Sequence, residues 1–148
     1  MSPFIPAGFT PPTPLATAEF RLEPLGPEHS ESDYLAWTSS IEHIRATPGF
    51  PYGGWPPFDG ISAQDNLEDL GRHREDHQAL REFTYSVLVG DQVVGCVYFF
   101  PPEKPGFDVS VQSWVRADRA ELDGPLADAI LEWILESWPW GKPDRYGR

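Results

Sequence analysis

FTYSVLVGDQVVGCVYFF, residues 83–100, is the stretch that decides how this chain folds. Phe83, Tyr85, Val87 and Val89 alternate with Thr84 and Ser86, the two-residue period of a half-buried strand. Gly90-Asp91 then separates two apolar runs by two residues, the spacing of a tight hairpin. The return run from Val93 to Phe100 is apolar on both faces, so it belongs at the centre of a covered sheet. Cys96, inside that run, reads as a small buried hydrophobe rather than a nucleophile. Pro101-Pro102 ends the strand.

Downstream, Asp108 to Arg116 forms another strand, with Val109, Val111, Ser113 and Val115 on one side. Trp114 falls on the other side and reads as packing. A helix begins near Pro125, since Pro suits the first helical positions. Its buried stripe is Leu126, Ile130, Ile134 and Trp138, and Pro139 ends it. Residues 141–148 hold a short edge strand.

Upstream, Phe20 to Leu25 alternates as a strand, with Pro24 suited to its end or to an edge. Ser30-x-x-Asp33 is a capping-box type of helix start, and Tyr34, Trp37, Ile41 and Ile44 make one apolar stripe. Thr47 to Gly60 is rich in Pro and Gly and carries Phe50, Tyr52, Trp55 and Phe58, a long aromatic loop of the kind that binds ligands. Ser62-x-x-Asp65 opens a second helix with Leu67, Leu70, His73, His77 and Leu80 on one face. His73 and His77 share that face at i, i+4 spacing, but no third ligand accompanies them. They read as packed histidines, with no metal site expected. Residues 1–18 contain five prolines and read as an extended arm, either a loose tail or, given Phe4, Ile5 and Phe9, one that packs on its own domain or on a second subunit. Residues 19–148 read as a single domain. The fold class is α+β, a mixed sheet of about five strands flanked by helices.

The bulk numbers narrow the partners. With 148 residues, 40% hydrophobic and 23% charged, the chain suits one globular core. A net charge of −12 opposes nucleic acid and anionic membrane surfaces, which need clustered Lys and Arg. A single cysteine permits no internal disulfide, and no signal-like or spanning segment is visible; a cytoplasmic setting is the expectation.

From Phe20 to Arg148 the order strand–helix–helix–hairpin–strand–helix resembles the GNAT superfamily of acyl-CoA-dependent N-acyltransferases. Ser113-Trp-Val-Arg-Ala-Asp118 is similar to the end of that family's fourth strand, which splays from its neighbour so that backbone groups hold the pantetheine arm of coenzyme A. The resemblance implies acetyl-CoA as co-substrate, met by Ser113, Trp114, Val115, Arg116, Arg119 and Gly124, and an acceptor that is a small-molecule amine or a protein side chain. It places the catalytic base at Asp108, with Glu103 as runner-up, and the acceptor side at Trp37, Glu42, His43, Arg45 and Trp55, where rings and an acid suit a cation.

The loop from Arg116 to Pro125 departs from the family's Gly-rich pyrophosphate cradle. It holds one glycine, Gly124, and three carboxylates, Asp118, Glu121 and Asp123; Pro125 has no N–H to donate. Two readings follow. Either Arg116 and Arg119 grip phosphates there, or Asp123 or Gly124 caps the helix and the acids fill the anion site. Family members also continue past the fifth strand with a helix that often donates an acidic tyrosine, and Tyr146 does not match that position. The pocket is then completed by a second subunit, as in a homodimer, or by the Pro-rich arm, or it is open. The alternative function is a non-catalytic GNAT-like domain binding a small ligand or a protein partner.

Overall fold

The computed structural model describes residues 3–51 and 53–148. Five strands, β1 (Arg21–Pro24), β2 (Phe83–Val89), β3 (Gln92–Phe100), β4 (Val109–Val115) and β5 (Pro143–Asp144), lie in the order β1-β2-β3-β4-β5. The first four are antiparallel neighbours, and β5 runs parallel to β4. Gly90 turns the β2–β3 hairpin at φ +60, a conformation glycine adopts without a Cβ penalty. β3 is central and buried along almost its whole length, as its unbroken apolar run requires.

The two faces of the sheet carry separate cores. Tyr85, Val97, Phe99, Val111 and Val115 pack against α4 (Asp123–Ser137) through Leu126, Ile130, Trp133 and Ile134. Leu88, Cys96, Tyr98 and Trp114 point the other way, under α1 (Ser30–Thr38), α2 (Ile41–Arg45) and α3 (Ala63–Gln78). Gly95 sits where β3 lies tightest against β4: an added Cβ would come within 2.4 Å of the Trp114 carbonyl oxygen.

The arm packs on its own domain. Phe4, Ile5, Phe9 and Leu15 lie on the α4-side core, the Trp140 indole donates to the Phe4 carbonyl at 2.9 Å, and Phe4 stacks on Trp140 at 5.1 Å. Met1, Ser2 and the loop's Tyr52 lie outside the described residues.

Three local expectations are corrected. The stripe Tyr34–Ile44 is not one helix. It breaks at Ser39–Ser40, where the Ser39 hydroxyl donates to the Ala36 carbonyl and the Ser40 hydroxyl accepts from the Ala117 amide. Ser30 is not the cap of α1, which His29 precedes without a side-chain cap bond. Neither Asp123 nor Gly124 caps α4. Leu122 holds that position, and Asp123 is the first residue of the helix. Ser62 does cap α3, accepting from the Asp65 amide at 3.0 Å.

Candidate functional site

The loop from Thr47 to Ile61 roofs a cavity of about 950 Å³ on the helical side of the sheet. Its walls come from five places: Asp33 on α1, Asn66, Leu70 and His73 on α3, Tyr98 and Phe100 on β3, Gln112 on β4, and Glu103, Lys104 and Tyr146 from the segments flanking β4 and β5. Volume and composition suit an organic ligand held by rings and a few polar groups. Trp55 is the loop's anchor, its ring centroid 5.5 Å from Trp37, 6.0 Å from Trp114 and 6.4 Å from Tyr98. Tyr34 donates its hydroxyl to the Ile61 carbonyl at 2.6 Å, and Gln112 donates to the Gly49 carbonyl at 2.7 Å; together they fasten both ends of the roof.

Asp33 is the buried charge of this cavity, 4% exposed. The Trp37 indole donates to Asn66 Oδ1 at 3.0 Å, and Asn66 Nδ2 donates to Asp33 Oδ2 at 3.2 Å, so a buried chain of bonds aims the carboxylate. Burial raises its pKa to about 6, against the stabilising bond from Asn66. Burial and then the Arg72 charge hold His73 below the ordinary histidine value, which keeps its ring neutral. Burial pushes the Tyr146 phenol up, the Ser110 hydroxyl pulls it back, and the Glu103 and Asp144 charges push it further; the phenol stays protonated.

Of the residues proposed for the acceptor side, Trp55 lines the cavity, while Trp37 is wholly buried and supports it from behind, through Asn66 and the Trp55 ring. Glu42, His43 and Arg45 lie outside the lining; Arg45 covers the Phe58 ring at 4.3 Å and donates to the Pro56 carbonyl. Of the two acids, Glu103 is on the wall. Asp108 is not: its Oδ2 accepts from the Gly141 and Lys142 amides at 3.0 and 2.9 Å and so closes the turn into β5. Asp33 had been legible only as a helix-start residue, and Asn66, Gln112 and Tyr146 carried no motif. They are brought together by register and by helix packing, which spacing does not encode. His77 packs edge-on against Phe83 and Tyr85, and among the described residues no group of three His, Cys, Asp or Glu is placed to hold a metal. Among them too, no helix is long and apolar enough to cross a membrane.

Of the residues proposed for the cofactor, Ser113 and Val115 face the opposite side of β4, and Ser113 lines the slot there. Pairing between β4 and β5 covers only Val109 and Ser110, so the strands part beyond that point. The backbone of Val111, Ser113 and Val115 faces the parted edge, because Arg116 and its alternate neighbours bond toward β3. Between this edge and α4 there remains a space of about 10 Å³, enough for one water, lined by Val111, Ser113, Ala127, Ile130, Arg145 and Arg148. Trp114 points away from it, wholly buried, and donates to the Tyr98 hydroxyl at 2.9 Å. Arg116 forms a two-bond pair with Asp118 at 2.8 and 2.9 Å, and Arg119 lies 4.0 Å from Glu121. Gly124 sits in the first turn of α4 beside Pro125, which offers no amide. In this arrangement the loop's arginines are met by its own acids, and acetyl-CoA does not fit the slot.

Solved structures share this fold. The microcin C7 self-immunity acetyltransferase MccE, solved with acetyl-CoA and AMP, superposes with a TM-score of 0.64 at 17% identity over 81% of this chain and 63% of its own. The ribosomal-protein-S5-alanine acetyltransferase from Vibrio fischeri gives 0.64 at 11% identity, over 84% and 68%. RimL, a ribosomal L7/L12 α-N-protein acetyltransferase solved with coenzyme A, gives 0.62 at 12% identity, over 80% and 64%. The chain thus spans about two-thirds of the length of these enzymes. No family model and no curated protein matches it. The fold is that of the GNAT acetyltransferases.

Proposed function

We propose that this chain is an N-acyltransferase of the GNAT type that takes an amine-bearing acceptor, a small molecule or a protein side chain, in the cavity beneath the 47–61 loop. One observation carries the reading. The cavity and the parted edge of β4 lie back to back: Gln112 borders the first and Ser113 the second, adjacent residues of one strand. An acceptor on one face would reach a donor entering between β4 and β5.

The residues of the cavity suit an amine. Asp33 supplies a buried counter-charge, and Trp55, Phe50 and Tyr98 supply ring faces that attract a cation. Transfer requires the amine to lose a proton, and the Glu103 carboxylate on the same wall is the group to take it, directly or through water. Tyr146 keeps its proton at Oη on the cavity wall, as a hydrogen-bond donor or an acid must. Acetyl-CoA, when bound, would supply the activated acyl group. The closed slot supports a second reading, a ligand-binding domain without catalysis.

Incubation with acetyl-CoA and a panel of primary amines, followed by mass spectrometry, tests the proposal. Acetylated product, reduced about 10²-fold by Glu103→Gln, is the expected result. Amines that bind without acetylation at millimolar acetyl-CoA would sink the transferase reading in favour of the second.

A further inference from the structure

Two carboxylates line the large cavity without a cation of their own. Asp33 is buried at its inner end, and Glu103 is exposed at its mouth. The bases nearby are engaged elsewhere. Arg72 pairs with Asp69, and Lys104 stands 3.7 Å from Asp144 Oδ2 and 5.8 Å from the centre of the Tyr146 ring. His29 bonds to Glu23 Oε1 at 3.2 Å and to Ser86 Oγ at 3.0 Å. Among the described residues, then, no side-chain cation pairs with Asp33 or Glu103. A buried charge is costly until a partner meets it, so Asp33 asks for a cation from outside the chain.

An amine that answers Asp33 must stay an ammonium, and an amine that is to be acylated must lose its proton. One nitrogen cannot do both. The walls are built for two. Burial, and after it the Asp33 charge, push the Cys96 thiol up, which places Asp33 over Cys96 of β3. The Glu103 amide donates to Ser110 Oγ at 3.2 Å, and Ser110 pairs with Phe100 at the far end of the strand. Between these points Tyr98 and Phe100 stack at 5.6 Å and line the cavity, an apolar strip with an acid at each end. From Cys96 to Phe100 is four residues along β3, roughly 13 Å at about 3.3 Å each. Hydrogen bonds of about 2.8 Å at both ends leave about 7 Å between two nitrogens, the reach of a chain of about five carbons.

We infer that the cavity takes a linear diamine, one ammonium held at Asp33, the alkyl chain on Tyr98 and Phe100, and the second nitrogen at Glu103. That this second nitrogen is the one acylated rests on the transferase reading; the binding does not. The chain's net charge of −12 draws such a dication in.

Calorimetric titration of the full chain with pentamethylenediamine and with pentylamine, which has the same carbons and one nitrogen fewer, tests the inference. The diamine should bind about fivefold tighter, the gain of one exposed ion pair. Glu103→Gln should abolish that gain and act on the diamine alone, whereas Asp33→Asn should weaken both ligands about tenfold or more. Equal binding of the two ligands by the unaltered protein overturns the inference. So does a diamine advantage that survives Glu103→Gln in a variant with an unchanged thermal melt. Acetyl-CoA is then added. Pentylamine acetylated as readily as the diamine sinks the diamine site and leaves the transferase reading standing. The predicted binding pattern with no acetylated product leaves the diamine site standing and sinks the transferase reading.

Discussion

Asp33 is where residue-level chemistry is most sharply set. Its folded pKa of about 6 lies above the ordinary 3.8, so between those values the folded state binds more proton than the unfolded state. Stability from this group is then lost as pH rises through 6, and ionised Asp33 costs the fold about 3 kcal/mol at neutral pH. Asp33→Asn should accordingly be more stable than the parent at pH 7.5, and the advantage should shrink as pH falls from 6 toward 4. Urea midpoints at several pH values check this; a pH-independent difference would contradict it. The same variant should lose affinity for a cationic amine. At Gly95 the constraint is steric, since a methyl group has no room beneath the Trp114 carbonyl. Gly95→Ala should cost about 1–3 kcal/mol, read from thermal or urea unfolding. Its glycine was visible in the sequence but its reason was not, because that reason belongs to the neighbouring strand.

Elements were legible where one local signal sufficed. The β2–β3 hairpin follows from Gly90-Asp91 and alternation, the buried centre from the run Val93–Phe100, and the start of α3 from Ser62. Elements with competing signals were misread. The apolar spacing from Tyr34 to Ile44 continues across Ser39–Ser40, but the hydroxyls there bond to backbone and end the helix, a choice decided by the distant Ala117 amide. The cofactor loop was legible in its charge and illegible in its partners: acids beside arginines left both a phosphate grip and a filled anion site open, and the pairing of Asp123 with Arg148, 25 residues further on, could not be placed from spacing. Asp108 ranks ahead of Glu103 by its place at the start of β4, but its carboxylate closes the turn into β5 and Glu103 is the acid on the cavity wall.

At the scale of the molecule, the arm is a structural layer of the α4-side core. Trp138 and Trp140 stack at 4.6 Å, with Phe4 on Trp140 and Phe9 beside Trp138. Phe4, Ile5 and Phe9 are half-buried, and at roughly half of the ~1.5–3 kcal/mol for full burial they contribute about 3 kcal/mol together. Removing residues 1–15 should lower Tm by about 10 °C by calorimetry and bare a tryptophan patch that promotes self-association. An unchanged Tm would show the arm to be an ornament.

β4 also works as a two-sided address. Gln112 lines the acceptor cavity while Val111 and Ser113 line the slot beside α4, so a shift of one residue against β3 would turn each toward the wrong side. Gly95 beneath the Trp114 carbonyl permits this alignment, since any side chain there would collide with the neighbouring strand, and a residue on β3 thereby lets β4 keep each chemistry on its own side of the sheet.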